Sequence, residues 1–213
     1  LHQEARRQRQ MCIRDRPPAP RFDLARRALE AGKHLLLEKP IALHADQARE
    51  LQRLALARGL SVAVDYEYRA VPLFMQAARL LQAGAVGTPW LVKLDWLMGS
   101  RADPQRGWNW YAQADQGGGV IGALGTHAMD MLAWLIGPLG SVQALNSVSI
   151  KQRPQPDGGL AAVDASDVSL LQTVAHWQGR QDLPVPAQVS LSSVSRNGCL
   201  LYTSPSPRDS IAS

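Results

Sequence analysis

Two short segments of the sequence hold side chains that could transfer a proton. In residues 34–43, HLLLEKPIAL, an acid and a lysine (Glu38, Lys39) separate an apolar run from Pro40. In residues 117–130, GGGVIGALGTHAMD, His127 and Asp130 stand three positions apart. Ligands of α/β proteins bind at the carboxyl ends of parallel strands, and an imidazole titrates near neutral pH. The two segments therefore indicate acid–base chemistry, if the fold brings them together.

Each segment also has a purely structural interpretation. Glu38 and Lys39 could mark the point where a strand ends and the chain reaches water. Asp130 could complement the positive end of a helix dipole, with His127 as a partly buried polar residue. Spacing alone favours this interpretation of His127 and Asp130. A metal site built on the same two residues would lack a third ligand.

The surrounding elements alternate between helix and strand in the first third of the chain. Apolar spacing predicts a helix that ends at Gly32, then a buried strand over 34–37 with both faces covered. A second helix, ending at Gly59, precedes the strand LSVAVDY. This order is half of a doubly wound unit. Pro72 then opens a helix at the first position, where its missing N–H costs little.

The remainder of the chain is predicted to be richer in strands. A strand in GTPWLVKLDWLMG leads into a loop over about 100–119, and THAMDMLAWLIGP forms a helix. Three further strand-like runs follow, SVQALNSVSI, VSLLQTVAHW and AQVSLSSVS. The loop glycines permit close backbone approach. G-x-G-x-x-G can be read from Gly117, but no core strand precedes it, so it is a weak dinucleotide motif.

Composition excludes several classes of protein. The 213 residues are 46% hydrophobic, which is ample for a core, and no apolar run approaches a membrane span. Two cysteines, Cys12 and Cys199, offer neither a disulfide framework nor metal-ligand spacing. A reduced, cytoplasmic protein without membrane partners is expected. Residues 1–27 hold eight arginines against three acids and so account for the net charge of +5. This segment lacks interleaved aromatics, so no nucleic-acid partner is expected.

Both ends of the chain differ from the middle. MCIRDR near the start and LYTSPSPRDS near the end look like translated adapter sequence. We interpret residues 1–21 and 199–213 as non-native tails. An uninterrupted genomic reading frame through both junctions would contradict this interpretation.

The combination of EKP, YR and GGG…GTHAMD resembles the Gfo/Idh/MocA family of oxidoreductases, over about residues 22–198. The resemblance implies an α/β fold class with two parts. Residues 22–68 would be the remnant of a doubly wound Rossmann domain that holds NAD or NADP. Residues 69–198 would belong to an α/β domain with a mostly antiparallel open sheet, which binds substrate and joins subunits into a homodimer or homotetramer.

The resemblance also implies roles for individual residues. Lys39 would bind the substrate oxygen beside the nicotinamide and stabilise the developing oxyanion. His127 would be the general base, and Asp130 would orient it or contact a sugar hydroxyl. Glu38, Lys39 and Pro40 would contact the cofactor. Substrate contacts would come from Tyr66, Tyr68, Arg69, Trp108, Asn109 and Trp110, although an interdomain salt bridge for Arg69 and loop packing for the tryptophans are equally consistent with the sequence.

Two departures from the family pattern bear on function. Many members carry an aspartate four residues before the histidine, where this chain has Ala123. The first strand and its glycine-rich phosphate loop would precede residue 22, and residues 1–21 contain no substitute. The expected parent enzyme transfers a hydride between NAD(P) and a secondary alcohol of a sugar, cyclitol or related polyol. The alternatives are a non-catalytic ligand- or partner-binding member and an NAD-dependent glycoside-cleaving relative.

Overall fold

The computed structural model describes residues 18–196. Both cysteines and most of the two predicted tails lie outside that range. The first unit consists of α1 (Arg21–Glu30), β1 (Leu35–Glu38), α2 (Ala45–Ala57) and β2 (Val62–Asp65). The first helix thus includes Arg21, which the sequence had assigned to the tail. The two strands pair in parallel, with Glu38 opposite Asp65.

The two helices cover one face of this small sheet. Leu35 and Leu37 are each 5% exposed and pack with Leu29 and Leu51, both fully buried. The prediction that β1 is covered on both faces is wrong for the described residues. Leu36, which points to the opposite face, is 64% exposed because both helices lie on the same side of the sheet.

The second unit is a mixed four-stranded sheet with helices. It contains α3 (Pro72–Gln82), β3 (Val92–Leu97), α4 (Thr126–Leu135), β4 (Leu139–Ser147), β7 (Val168–His176) and β8 (Pro184–Ser192). The strand order is β3-β8-β7-β4, in which only the β3–β8 pair is parallel. Its core joins Trp96, Met131 and Leu132 to the inward side chains of β8. This arrangement agrees with the predicted fold class.

Two features of the second unit were not predicted. A short hairpin, β5 (Gln152–Pro154) and β6 (Leu160–Ala162), interrupts the run of long strands. Residues 121–125 form a π-helical turn that leads directly into α4. The signal for such a turn was its sequence, IGALG, since two glycines weaken the regular helical alternative.

The glycine cluster packs protein backbone against protein backbone. Gly118 lies against the backbone of Tyr111, and Gly119, with a φ of +83°, lies against Ser166. A side chain at either position would collide with these main-chain atoms. Gly118 and Gly119 therefore permit the close backbone packing that precedes the π-helical turn, whereas Gly117 lies against the side chains of Leu43 and Pro18. In the described part of the chain, no helix is both long and apolar enough to cross a membrane.

Candidate active site

The candidate site forms where the two parallel strands end. Because Glu38 pairs with Asp65, the residues that follow each strand emerge at the same sheet edge. Lys39 follows β1, and Tyr66 and Glu67 follow β2. The Lys39–Pro40 peptide bond is cis. Both segments face the beginning of α4, which carries His127.

The π-helical turn brings a carbonyl oxygen to Lys39. The Nζ of Lys39 donates a hydrogen bond to the carbonyl oxygen of Ala123 at 2.7 Å, across 84 positions of sequence. A π turn leaves local carbonyls free of the regular helical pattern. The turn also approaches β8 closely, since a side chain at Gly125 would lie 3.3 Å from Leu191. Lys39 is thus tied to the second unit by one charged hydrogen bond.

Burial makes the Lys39 ammonium easier to deprotonate. Its pKa is lowered, first by burial and also by the positive charge of Arg21, while Glu67 and Glu38 oppose the shift. An ammonium with a lowered pKa is a better proton donor. In its protonated form it remains a cation that can donate to an oxygen atom, here the Ala123 carbonyl oxygen.

His127 lies within a shell of aromatic rings. Its side chain is 4% exposed. The imidazole makes edge-on contacts with Tyr66 and Tyr68, with ring centroids 5.8 and 4.9 Å away, and a tilted contact with Trp96 at 5.8 Å. Its Nδ1 is buried without a hydrogen-bond partner among the described residues, and its Nε2 lies 3.8 Å from Oε1 of Glu67. Nε2 is therefore the nitrogen available for proton transfer.

The surroundings keep this imidazole neutral. Burial, and then the positive charge of Lys39, lower the pKa of His127 from the ordinary 6.5 to about 4. The carboxylates of Glu67, Asp130 and Asp65 oppose the shift without cancelling it. At neutral pH the side chain is unprotonated, which is the form that can accept a proton.

Asp130 has a different partner from those that the sequence suggested. Its two carboxylate oxygens accept hydrogen bonds from Nε and Nη2 of Arg69, both at 2.8 Å. The guanidinium carbon of Arg69 also lies 5.6 Å from the ring centroid of Trp134. The pKa of Arg69 is raised, and the hydrogen bond to Asp130 is the largest cause. This bidentate pair joins the segment after β2 to α4, as the interdomain alternative for Arg69 anticipated.

The Arg69–Asp130 pair is expected to make a measurable contribution to stability. A double-mutant cycle with Arg69→Ala and Asp130→Ala should give a coupling energy of about 0.5–1 kcal/mol, because the geometry is bidentate and Asp130 is only 13% exposed. Denaturant unfolding supplies the measurement. The pair Arg180–Asp182, with side chains 60% and 67% exposed, is the matched control and should show no coupling. Equal coupling in both cycles would contradict the prediction.

The other predicted substrate contacts are engaged in packing. Trp108 donates its indole N–H to the carbonyl of Ala162 on β6 at 2.9 Å. Asn109 caps a short 3-10 helix by accepting from the Tyr111 N–H, and the ring of Trp110 lies 5.9 Å from that of Tyr111. Within residues 18–196, these hydrogen bonds and ring contacts do not involve Lys39 or His127. Tyr68 packs against Phe74 and Trp96 as well as His127, so it belongs to the wall of the site.

The described residues fit one end of a dinucleotide. Glu38, Lys39 and Pro40 are partly buried at the sheet edge, where a nicotinamide could lie beside the Lys39 cation. Arg21 donates a hydrogen bond to the Pro40 carbonyl and supports this corner from α1. The connection between β1 and α2 contains no glycine. This connection therefore offers no glycine-rich cradle for a pyrophosphate.

Two residues of this site were missed by sequence reasoning. Arg21 was assigned to the tail. Glu67 stands between Tyr66 and Tyr68 in the segment YEYR, whose two tyrosines and arginine are the predicted substrate contacts. A signal was present, since any polar residue directly after the second parallel strand reaches the same edge as Lys39.

Comparison with known proteins assigns the family. Residues 74–189 match the GFO/IDH/MocA C-terminal domain, and residues 11–66 match the oxidoreductase family with an NAD-binding Rossmann fold. The chain belongs to the Gfo/Idh/MocA family of oxidoreductases. It therefore carries part of an NAD(P)-binding domain. The Rossmann match begins at residue 11, inside the segment interpreted as a non-native tail.

Individual relatives agree with this assignment. An uncharacterized oxidoreductase of Synechocystis, sll0816, is 44% identical over 185 residues, covering 85% of this chain and 48% of that protein. Levoglucosan dehydrogenase of Pseudarthrobacter phenanthrenivorans is 30% identical over 142 residues, covering 66% of this chain and 36% of the enzyme. The chain thus spans about half the length, or less, of the curated relatives it matches.

Solved structures share the fold. An NAD-binding oxidoreductase from Klebsiella pneumoniae superposes with a TM-score of 0.75 at 25% identity, covering 85% of this chain and 47% of that one. A levoglucosan dehydrogenase in complex with NADH and L-sorbose gives a TM-score of 0.76 at 24% identity, covering 85% and 47%. The second similarity is evidence for the fold alone.

Proposed function

We propose that the full-length gene product, meaning this chain with whatever its gene encodes on either side, oxidises a secondary alcohol of a sugar, cyclitol or related polyol with NAD or NADP. The observation that carries the proposal is the convergence of Lys39 and a neutral His127 at the carboxyl edge of a parallel sheet. Relatives named as levoglucosan dehydrogenase and D-xylose dehydrogenase support the substrate class.

His127 and Lys39 have different roles at the substrate hydroxyl group. When bound, the dinucleotide accepts the hydride that leaves the carbinol carbon. Loss of the hydride requires loss of the hydroxyl proton, which the unprotonated imidazole of His127 accepts. Lys39 donates to the same oxygen and stabilises the negative charge that develops on it. The aromatic shell excludes water from one side of the imidazole. Lys39, Pro40 and Glu38 would border the nicotinamide.

The test is steady-state formation of NADH or NADPH by the full-length gene product with a panel of sugars, cyclitols and polyols. Turnover with any of them supports the proposal. Release of free sugar from glycosides without net reduction of the cofactor would favour the glycoside-cleaving alternative. Binding of ligand without either reaction would favour the non-catalytic alternative.

The chain by itself is expected to bind dinucleotide weakly or not at all. In its described residues, neither parallel strand is followed by the glycine turn that normally leads into a helix N-terminus and holds a pyrophosphate. Calorimetric titration with NAD and NADP should show binding to the full-length gene product and little binding to the isolated 213-residue chain. Tight binding by the isolated chain would place the phosphate site within these residues and contradict the prediction.

Assembly through the second unit also remains a proposal. The face of the four-stranded sheet opposite its core exposes Leu145 by 69% and Leu170 by 44%, and these two residues pair across β4 and β7. The adjoining depression, of about 390 Å³, is lined by Gln143, Gln172, Gln188 and neighbouring residues. A second copy of the protein could cover this face, which supports the homodimer or homotetramer implied by the family resemblance.

A further inference from the structure

Among residues 18–196, Glu67 is the one carboxylate within 4 Å of the proton-accepting nitrogen of His127. Its Oε1 lies 3.8 Å from Nε2, longer than a hydrogen bond and short enough for an ion pair once His127 is protonated. The Glu67 side chain is 56% exposed, whereas His127 is 4% exposed. Glu67 therefore lies between the buried imidazole and bulk water.

The other charged groups around His127 have different positions or partners. Lys39, after β1, donates a hydrogen bond to the Ala123 carbonyl. Asp130, on α4 itself, accepts hydrogen bonds from Nε and Nη2 of Arg69. Asp65, at the end of β2, is a weaker influence on His127 than Glu67. Tyr66 and Tyr68 present rings to the imidazole. Position 123 contributes no carboxylate, because its residue is alanine.

We propose that Glu67 is the positioning and proton-accepting partner of His127, supplying the carboxylate that the π-helical turn lacks at Ala123. This proposal rests on the dehydrogenase function proposed above. The bound dinucleotide would supply the hydride acceptor for the carbinol carbon, and the hydroxyl proton moves to Nε2 of His127. The imidazolium then faces the Glu67 carboxylate, which takes the proton and releases it to water. The products are a ketone, the reduced cofactor and one proton.

The electrostatic attraction between Glu67 and His127 is strongest after His127 has accepted the proton. In the resting protein His127 is neutral, so it attracts Glu67 only weakly. An ion pair forms as the imidazole gains the proton, so Glu67 stabilises the charged state more than the resting state, which is the condition for accelerating the step. The His127 pKa of about 4 already includes the opposing effect of Glu67, so the imidazole would be a still weaker base without this carboxylate.

The variant Glu67→Gln in the full-length gene product tests this directly. Because Glu67 favours the protonated imidazole, its removal should move the protonation midpoint of His127, followed by NMR of labelled histidine, to lower pH. His127→Gln identifies the resonance. The rate of alcohol oxidation should fall about 10- to 100-fold, somewhat less than the loss of an acid–base group itself. Glu50→Gln, an exposed position on α2, is the matched control and should change neither measurement.

A second substitution separates a charge effect from a structural one. Ala123→Asp, added to Glu67→Gln, places a carboxylate in the turn that contacts Lys39 and should recover part of the lost rate and of the lost midpoint shift. An unchanged His127 midpoint in Glu67→Gln would overturn the proposal. The NMR titration needs no turnover, so it distinguishes this failure from failure of the proposed function, which would appear as a wild-type protein that reduces no cofactor with any polyol.

Discussion

Replacing Lys39 with alanine in the full-length gene product is expected to lower the rate of alcohol oxidation by about two to four orders of magnitude. The substitution removes the cation that donates to the substrate oxygen, together with its hydrogen bond to the Ala123 carbonyl. Cofactor affinity should change little, because the dinucleotide is held chiefly through its pyrophosphate. Steady-state kinetics and calorimetric titration of the cofactor are the two measurements.

Lys33→Ala is the matched control for Lys39→Ala. Lys33 is exposed just before β1, at the opposite end of the strand from Lys39, and its loss should leave the rate unchanged. A change of less than about tenfold in Lys39→Ala would mean that Lys39 only ends a strand. Equal thermal midpoints for both variants would show that any loss of rate is not a loss of fold.

Replacing His127 with glutamine is expected to slow oxidation by about 10²- to 10⁴-fold at neutral pH, since the base is lost while a hydrogen-bonding side chain remains. In the wild type, kcat/KM should fall as pH drops through about 4, because that is the pKa of His127 and the protonated imidazole accepts no proton. The glutamine variant should lack this limb. The pH profile of kcat/KM is the measurement.

The lowered pKa of His127 also makes the free energy of unfolding depend on pH. The unfolded chain binds a proton at the ordinary pKa of 6.5 and the folded protein only near 4, so the free energy of unfolding should decrease as pH falls through that window. His127→Gln should lose less stability than wild type between pH 7 and pH 4. His34→Gln, which replaces an exposed histidine with a side chain that can still accept the Ser61 N–H hydrogen bond, is the control and should lose stability over the same pH range as wild type. If kcat/KM of His127→Gln still fell at low pH as it does in the wild type, the assignment of His127 as the base would be refuted.

Local pattern was sufficient to predict most elements. Helix stops at Gly32 and Gly59 and the apolar runs before Lys39 and Tyr66 predict the helix–strand alternation that the structure contains. These signals lie within a few residues of each other, so they act through local backbone preference and periodicity. The hairpin β5–β6 was missed because strands of three residues are too short to show a period of two.

The sequence by itself determined the family, the parallel pair of strands and the candidacy of Lys39 and His127, because each rests on short segments with a readable pattern. Only the tertiary structure decided their partners. Lys39 binds a carbonyl 84 positions away, Asp130 is held by Arg69, and Glu67 faces His127. These contacts join segments that are distant along the chain, and they depend on strand register and on a π-helical turn. They are selected by hydrogen bonds, ion pairs and ring contacts between residues far apart in the sequence, which local spacing does not encode.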